Sequence, residues 1–163
     1  MSTISDTIQD KCLSFGDRII KLNDYLLEQA ASKRYDGRSK MYDGKKSTMR
    51  DSHQPSAIKH HPSLVPVHLQ SVSTLANQLL RSGTSIGANN AEACNAISKA
   101  DFKSKSYIAL KEARESLYWI ELLHRNTYID DKQYQSIYED CEELVKILVA
   151  RCKKLDQELK GTK

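Results

Sequence analysis

Basic side chains crowd one short part of this 163-residue chain: residues 33–67 hold eight Lys or Arg against three Asp, whereas the remainder nets one negative charge. Lys33, Arg34, Arg38, Lys40, Lys45, Lys46 and Arg50 form the densest part. Such a cluster contacts phosphates by releasing counterions and reads no bases, so it predicts nucleic-acid binding with a steep salt dependence. The same charge also serves simply to solvate a loop. Tyr35, Met41, Tyr42 and Met49 are interleaved with it and suit a protein partner instead. Two readings therefore stand: a nucleic-acid-binding scaffold, or a module that recruits an enzyme without touching nucleic acid.

Other chemistry is thinly provided. The five histidines are His53, His60, His61, His68 and His124, with no Glu-x-x-His of the kind that carboxylate-bridged metal bundles repeat. No metal site or cofactor is expected. Ser82, Thr84 and Ser85 have no histidine nearby in sequence to activate them, and no compact acidic cluster offers two-metal chemistry, so the chain reads as a non-enzyme. Glu92, Glu112 and Glu115 are expected to meet Arg81 and Arg114 in a salt-bridge network between helices. Cys12, Cys94, Cys141 and Cys152 include no Cys-x-x-Cys pair and read as buried free thiols.

Four helices must position these groups. Cys12, Phe15, Ile19, Leu22 and Leu26 recur every three or four residues and predict a first helix over about residues 5–32, with Gly16 inside it. Residues 33–67 break the pattern. They hold all three prolines and two Asp-Gly pairs, at 36–37 and 43–44, and the near repeat of 35–40 and 42–47 suggests a short hairpin or a mobile stretch. A second helix begins near Val67 or His68, with Leu69, Val72, Ala76 and Leu79 inward. A third follows Ser98 as N-cap and runs to about His124, burying Phe102, Ala109, Leu110, Ala113, Leu117, Ile120 and Leu123. Lys111 is set to pair with Glu115, and Glu121 with Arg125. Asp130 and Gln133 form a capping box for the fourth helix, whose apolar positions run from Tyr134 to Leu159. A link of roughly six residues between the last two favours antiparallel neighbours.

The segment R-S-G-T-S-I-G-A-N-N-A-E-A (81–93) resembles a phosphate loop in composition, but such a loop follows a strand and opens a helix. Here Gly83, Ile86 and Asn90 continue the inward phase of the second helix. Gly83, Gly87 and Ala88 thus read as a slim helix face that lets another helix come close.

That segment, together with S-K-A-D-F-K-S-K-S-Y-I-A-L-K-E-A-R-E-S-L-Y-W-I-E-L-L (98–123), resembles the four-helix-bundle family encoded by intervening sequences in bacterial 23S rRNA genes. The same superfamily includes accessory variability proteins of diversity-generating retroelements. Arg81, Ser85, Ile86, Ala88, Asn89, Ala91 and Glu92 match its first motif. Phe102, Ala109, Leu110, Glu112, Ala113, Glu115 and Trp119 match its second. The resemblance implies a bundle that assembles into a ring, commonly a pentamer, and, for the retroelement members, contact with nucleic acid and a reverse transcriptase. The family link at residues 33–67 is much shorter, so this chain's insertion is a departure from the pattern.

The expectation is one all-α domain over 1–163, an antiparallel up-down-up-down four-helix bundle with a basic Pro/Gly-containing insertion at 33–67. Arg81, Gly83, Asn89, Glu92, Glu112, Glu115 and Trp119 are expected to organise contacts between helices or subunits. The chain lacks an apolar run of membrane-spanning length and a secretory-type start, so a cytoplasmic location is expected. The homo-oligomer, a pentamer by preference, is what the family resemblance implies.

Overall fold

The computed structural model describes residues 4–43 and 67–160, which form α1 (Ile4–Asp43), α2 (Val67–Cys94), α3 (Lys99–Arg125) and α4 (Asp131–Lys160), with no strand among them. Each helix packs on its sequence neighbour and α1 closes onto α4, giving the all-α up-down-up-down four-helix bundle. The inward stripes meet as their spacing requires. Phe15, Ile19 and Leu26 of α1, Val72, Leu79 and Ile86 of α2, Ile120 and Leu123 of α3, and Ile137, Leu144 and Leu148 of α4 are all buried in one core. Leu22, Leu117, Tyr134, Tyr138, Val145 and Val149 are partly buried against it. Among the described residues no helix is long and apolar enough to cross a membrane.

The helix ends follow local chemistry. Ser98 caps α3 by accepting the Asp101 N–H at 3.1 Å, while the Asp101 carboxylate accepts the Ile97 N–H at 3.2 Å. Asp130 and Gln133 close the capping box reciprocally, at 2.7 and 3.0 Å. α3 stops with two backbone bonds, Thr127 N–H to His124 C=O at 2.8 Å and Tyr128 N–H to Leu123 C=O at 2.9 Å. This is a Schellman ending with Thr127 in the left-handed position, at φ 59°. A β-branched residue is strained there by about 1–2 kcal/mol, of which the added freedom of an unfolded glycine would cancel part. Thr127→Gly is therefore expected to stabilise the bundle by up to about 1 kcal/mol, read as a higher urea midpoint. A lower midpoint would show that the threonine side chain contributes more than its backbone strain costs.

The first helix differs from expectation. It does not end near residue 32 but continues to Asp43, so the Asp36-Gly37 pair is helical and the 35–40/42–47 hairpin does not form. A helix already under way adds residues cheaply, and one glycine costs only about 1 kcal/mol. Lys33, Arg34, Arg38, Lys40 and Met41 are good helix formers, and no proline interrupts before Pro55. Residues 44–66, with all three prolines, Lys45, Lys46, Arg50, His53, His60 and His61, lie outside the described residues.

Between α1 and α4, long polar side chains also reach across beside the shared core. Lys11 pairs with Glu143 at 2.9 Å, and Arg18 reaches the Asp140 carboxylate, the Ser136 hydroxyl at 2.8 Å and the Ser136 carbonyl at 3.3 Å. Three of the four thiols are buried, as expected, but Cys94 is exposed near the end of α2. Burial pushes the Cys12 thiol up to about 11 and Cys141 to about 12, which keeps both protonated and unreactive at neutral pH.

Candidate functional site

The slim segment of α2 lies against α1 and α3. A β-carbon at Gly83 would stand 3.0 Å from Ile19 Cγ1 and 3.2 Å from its Cγ2, and one at Gly87 would stand 3.4 Å from Cys12 Cβ. Both glycines thus serve close approach of α1 to α2 within one chain. Gly16, in contrast, would meet nothing within 4 Å. On the α3 side, buried Ser116 donates to Ser82 Oγ at 2.9 Å, a polar stitch inside the core.

Asn90 ties three helices together. It is fully buried, donates to Gln9 Oε1 of α1 at 2.6 Å, and accepts from Arg151 Nη1 of α4 at 2.7 Å. The Arg151 guanidinium also stands 5.6 Å from the Phe102 ring centre. The neighbouring motif residue, Asn89, stays within its own helix, donating to the Ser85 carbonyl at 2.9 Å. Sequence reasoning placed Asn90 on the inward phase but passed over it as a functional position. A polar side chain at a core position was the available signal. Its partners, 81 residues before and 61 after it, were not visible.

Of the other motif residues, Ile86, Ala109, Leu110 and Ala113 are buried in the core, whereas Arg81, Glu92, Glu112, Glu115 and Trp119 lie on the outer side of α2 and α3. Glu92 pairs with Lys105, and Glu115 accepts the Trp119 indole N–H at 3.0 Å rather than the expected bond from Lys111. Glu121 and Arg125 do pair, at 2.6 Å. Trp119 is half-buried and meets Tyr118 edge-on at 4.9 Å, with Tyr118 itself 56% exposed. Arg81 is exposed and acts on Glu112 through space. The Glu112 carboxyl is pushed above the usual range, first by burial and then by Glu115, with Arg81 opposing.

That shift has a definite sign. The folded state holds the Glu112 proton more tightly than the unfolded chain, so the group favours folding below the ordinary value near 4.5. This contribution is lost as pH rises through the raised value. Glu112→Gln should therefore raise the melting temperature at neutral pH and flatten its decline above the ordinary carboxyl range. Thermal melts across pH check this; an unchanged profile would show that Glu112 carries no such burden.

Of the basic cluster, Lys33, Arg34, Arg38 and Lys40 fall on the last turns of α1, at spacings that include four and seven residues. Ile19 faces Gly83, and Ala30 lines a cavity with Val72, so the start of α2 stands level with about residue 35 of α1. The rest of α1 runs beyond it. Among the described residues no group of three or more His, Cys, Asp or Glu is arranged to hold a metal ion. His124 pairs with Asp131 at 2.8 Å and stacks on Tyr134 at 4.1 Å.

The profile of the 23S rRNA-intervening sequence protein family matches residues 66–150, which span α2, α3 and most of α4. The chain belongs to this family. A solved relative agrees: a protein of unknown function from the S23 ribosomal protein family of Bacteroides thetaiotaomicron is 35% identical, with 91% of this chain and 97% of that one covered and a TM-score of 0.65. No curated protein matches the chain.

For this member of the 23S rRNA-intervening sequence protein family, the matched span encloses the whole outward motif face and Asn90. It begins at residue 66, after α1 and after every Lys and Arg of the basic stretch. The motif face and the cationic stretch are accordingly separate along the chain, one inside the matched span and one before it.

Proposed function

We propose that this chain is a non-enzymatic scaffold that assembles into a ring, a pentamer by preference, and binds RNA or RNA/DNA hybrid electrostatically. The observation that carries the reading is the continuation of α1 to Asp43. A stretch that reads as a loop becomes a helical rod of roughly 16 Å over its eleven added residues, with Lys33, Arg34, Arg38 and Lys40 along it. Cations repeated along a rigid element suit a phosphate backbone better than scattered loop charges, because less order must be imposed on binding. Lys45, Lys46 and Arg50 continue the cluster in sequence. A ring multiplies these weak contacts by avidity.

The motif face supplies the assembly surface in this reading. Exposed Tyr118 and half-buried Trp119 supply aromatic area of the kind enriched at subunit contacts. A reverse transcriptase is the enzyme partner that the retroelement resemblance implies. The test is light scattering of the full chain with and without a mixed RNA and RNA/DNA-hybrid probe, at low and physiological salt. A ring-sized particle that takes up the probe and releases it as salt rises is the expected result. Reversing Lys33, Arg34, Arg38 and Lys40 to Glu together should abolish uptake and leave the particle size unchanged. A ring that ignores the probe at both salts overturns the nucleic-acid reading.

In that event protein recruitment takes its place, and one observation favours it. Leu13 and Ile20 are 59% and 45% exposed on α1, beside a groove that Gly16, Thr84, Gly87 and Ala88 also line. Exposed aliphatic side chains flanking small residues form a surface for protein, not for phosphate.

A further inference from the structure

We infer that the end of the bundle remote from the basic stretch holds a binding groove for a small amphipathic carboxylate, a medium-chain fatty acid in chemical class. The inference is independent of both nucleic-acid binding and ring assembly. Where α1 and α3 begin and α4 finishes, a groove of about 640 Å³ opens among Ile8, Phe102, Ile147 and Leu155. This is within the size range of small-molecule sites, roughly 300–1,000 Å³. Its charged lining is one-sided: Lys99, Arg151 and Lys154 against Glu158 alone.

Arg151 is the decisive group. Its Nη1 is tied to fully buried Asn90 at 2.7 Å, Asn90 is in turn tied to Gln9, and Phe102 stands against the guanidinium. The side chain is therefore oriented in advance by a neutral amide and an aromatic ring. The carboxylates that follow it on α4 are engaged elsewhere. Asp156 takes Lys103 at 2.7 Å and the Tyr107 hydroxyl at 2.6 Å, and Glu158 takes Lys99 at 3.8 Å. Among the described residues Arg151 closes no ion pair.

A fixed guanidinium with spare N–H groups at the edge of an apolar groove recognises a carboxylate carrying an apolar tail. The fork geometry suits both carboxylate oxygens, and the tail covers Ile147, Phe102 and the floor beneath. Lys154 adds a second, mobile charge at the rim.

Calorimetric titration of the full chain tests this, with decanoate, decanol and decylammonium each kept below its aggregation limit. Decanoate is expected to bind saturably with one molecule per chain, about tenfold or more tighter than decanol, the scale of one charge-assisted hydrogen bond. Decylammonium is expected not to bind. Arg151→Met should bring decanoate down to the affinity of decanol. Because that change also orphans Asn90, Ile147→Glu provides a second arm. It keeps both Asn90 and Arg151 and sets a carboxylate in the groove one turn from the guanidinium, where it repels and competes with the ligand. It should abolish decanoate binding with unchanged circular dichroism. Equal affinity for decanoate and decanol, absence of saturable binding, or undiminished decanoate binding by Ile147→Glu would each overturn the inference.

Discussion

Asn90→Leu is expected to destabilise the bundle by about 2–4 kcal/mol, although the two side chains are of similar size. Asparagine at this position is fully buried and bridges Gln9 and Arg151 at 2.6 and 2.7 Å. Leucine removes both bonds and leaves a carbonyl oxygen and a guanidinium N–H facing an apolar group. Each orphaned polar group costs about 1–3 kcal/mol, reduced here because Gln9 and Arg151 are only half-buried and retain some water. Urea unfolding measures the loss. The loss should shrink when Arg151→Leu is already present, since the cation no longer needs a partner. Full additivity of the two changes would contradict direct coupling.

Gly83→Leu is expected to cost about 3 kcal/mol or more, or to prevent folding outright. The first added atom already stands 3.0 Å from Ile19 Cγ1 and 3.2 Å from Cγ2. These are branch atoms close to the α1 backbone, not the end of a flexible side chain, so relief requires the two helices to part. Parting would also open the neighbouring contact of Gly87 with Cys12. The better helix propensity of leucine returns less than about 1 kcal/mol and does not change the sign. Ile19→Ala in the same chain should recover part of the loss by making room. Unchanged circular dichroism, stability and oligomer mass in the single variant would remove Gly83 from any role in packing.

The boundary between what was legible and what was not follows the range of the interactions. Ser98 as a cap, the Asp130–Gln133 box and the inward stripes all depend on residues three or four apart, and each is present in the fold, except that Phe102, expected inward on α3, is only partly buried and lines the end groove. Even Gly83 was readable, because the periodicity of α2 carries it onto the inward phase. Misreadings arose where two local tendencies competed. Asp36-Gly37 signals a turn, yet helix propagation through good helix formers overrides it. Lys111 and Trp119 stand on either side of Glu115, one turn away, and the structure gives the carboxylate to the indole.

The sequence by itself determined the helices, their buried faces and the concentration of positive charge, because hydrophobic period, capping and composition are properties of neighbours along the chain. Only the tertiary structure decided what crosses between helices: Asn90 with Gln9 and Arg151, Ser82 with Ser116, and the groove in which a preoriented cation meets apolar side chains. Those partners lie dozens of residues apart in sequence. Helix rotation and register, set by the packing of the whole core, brought them within bonding distance.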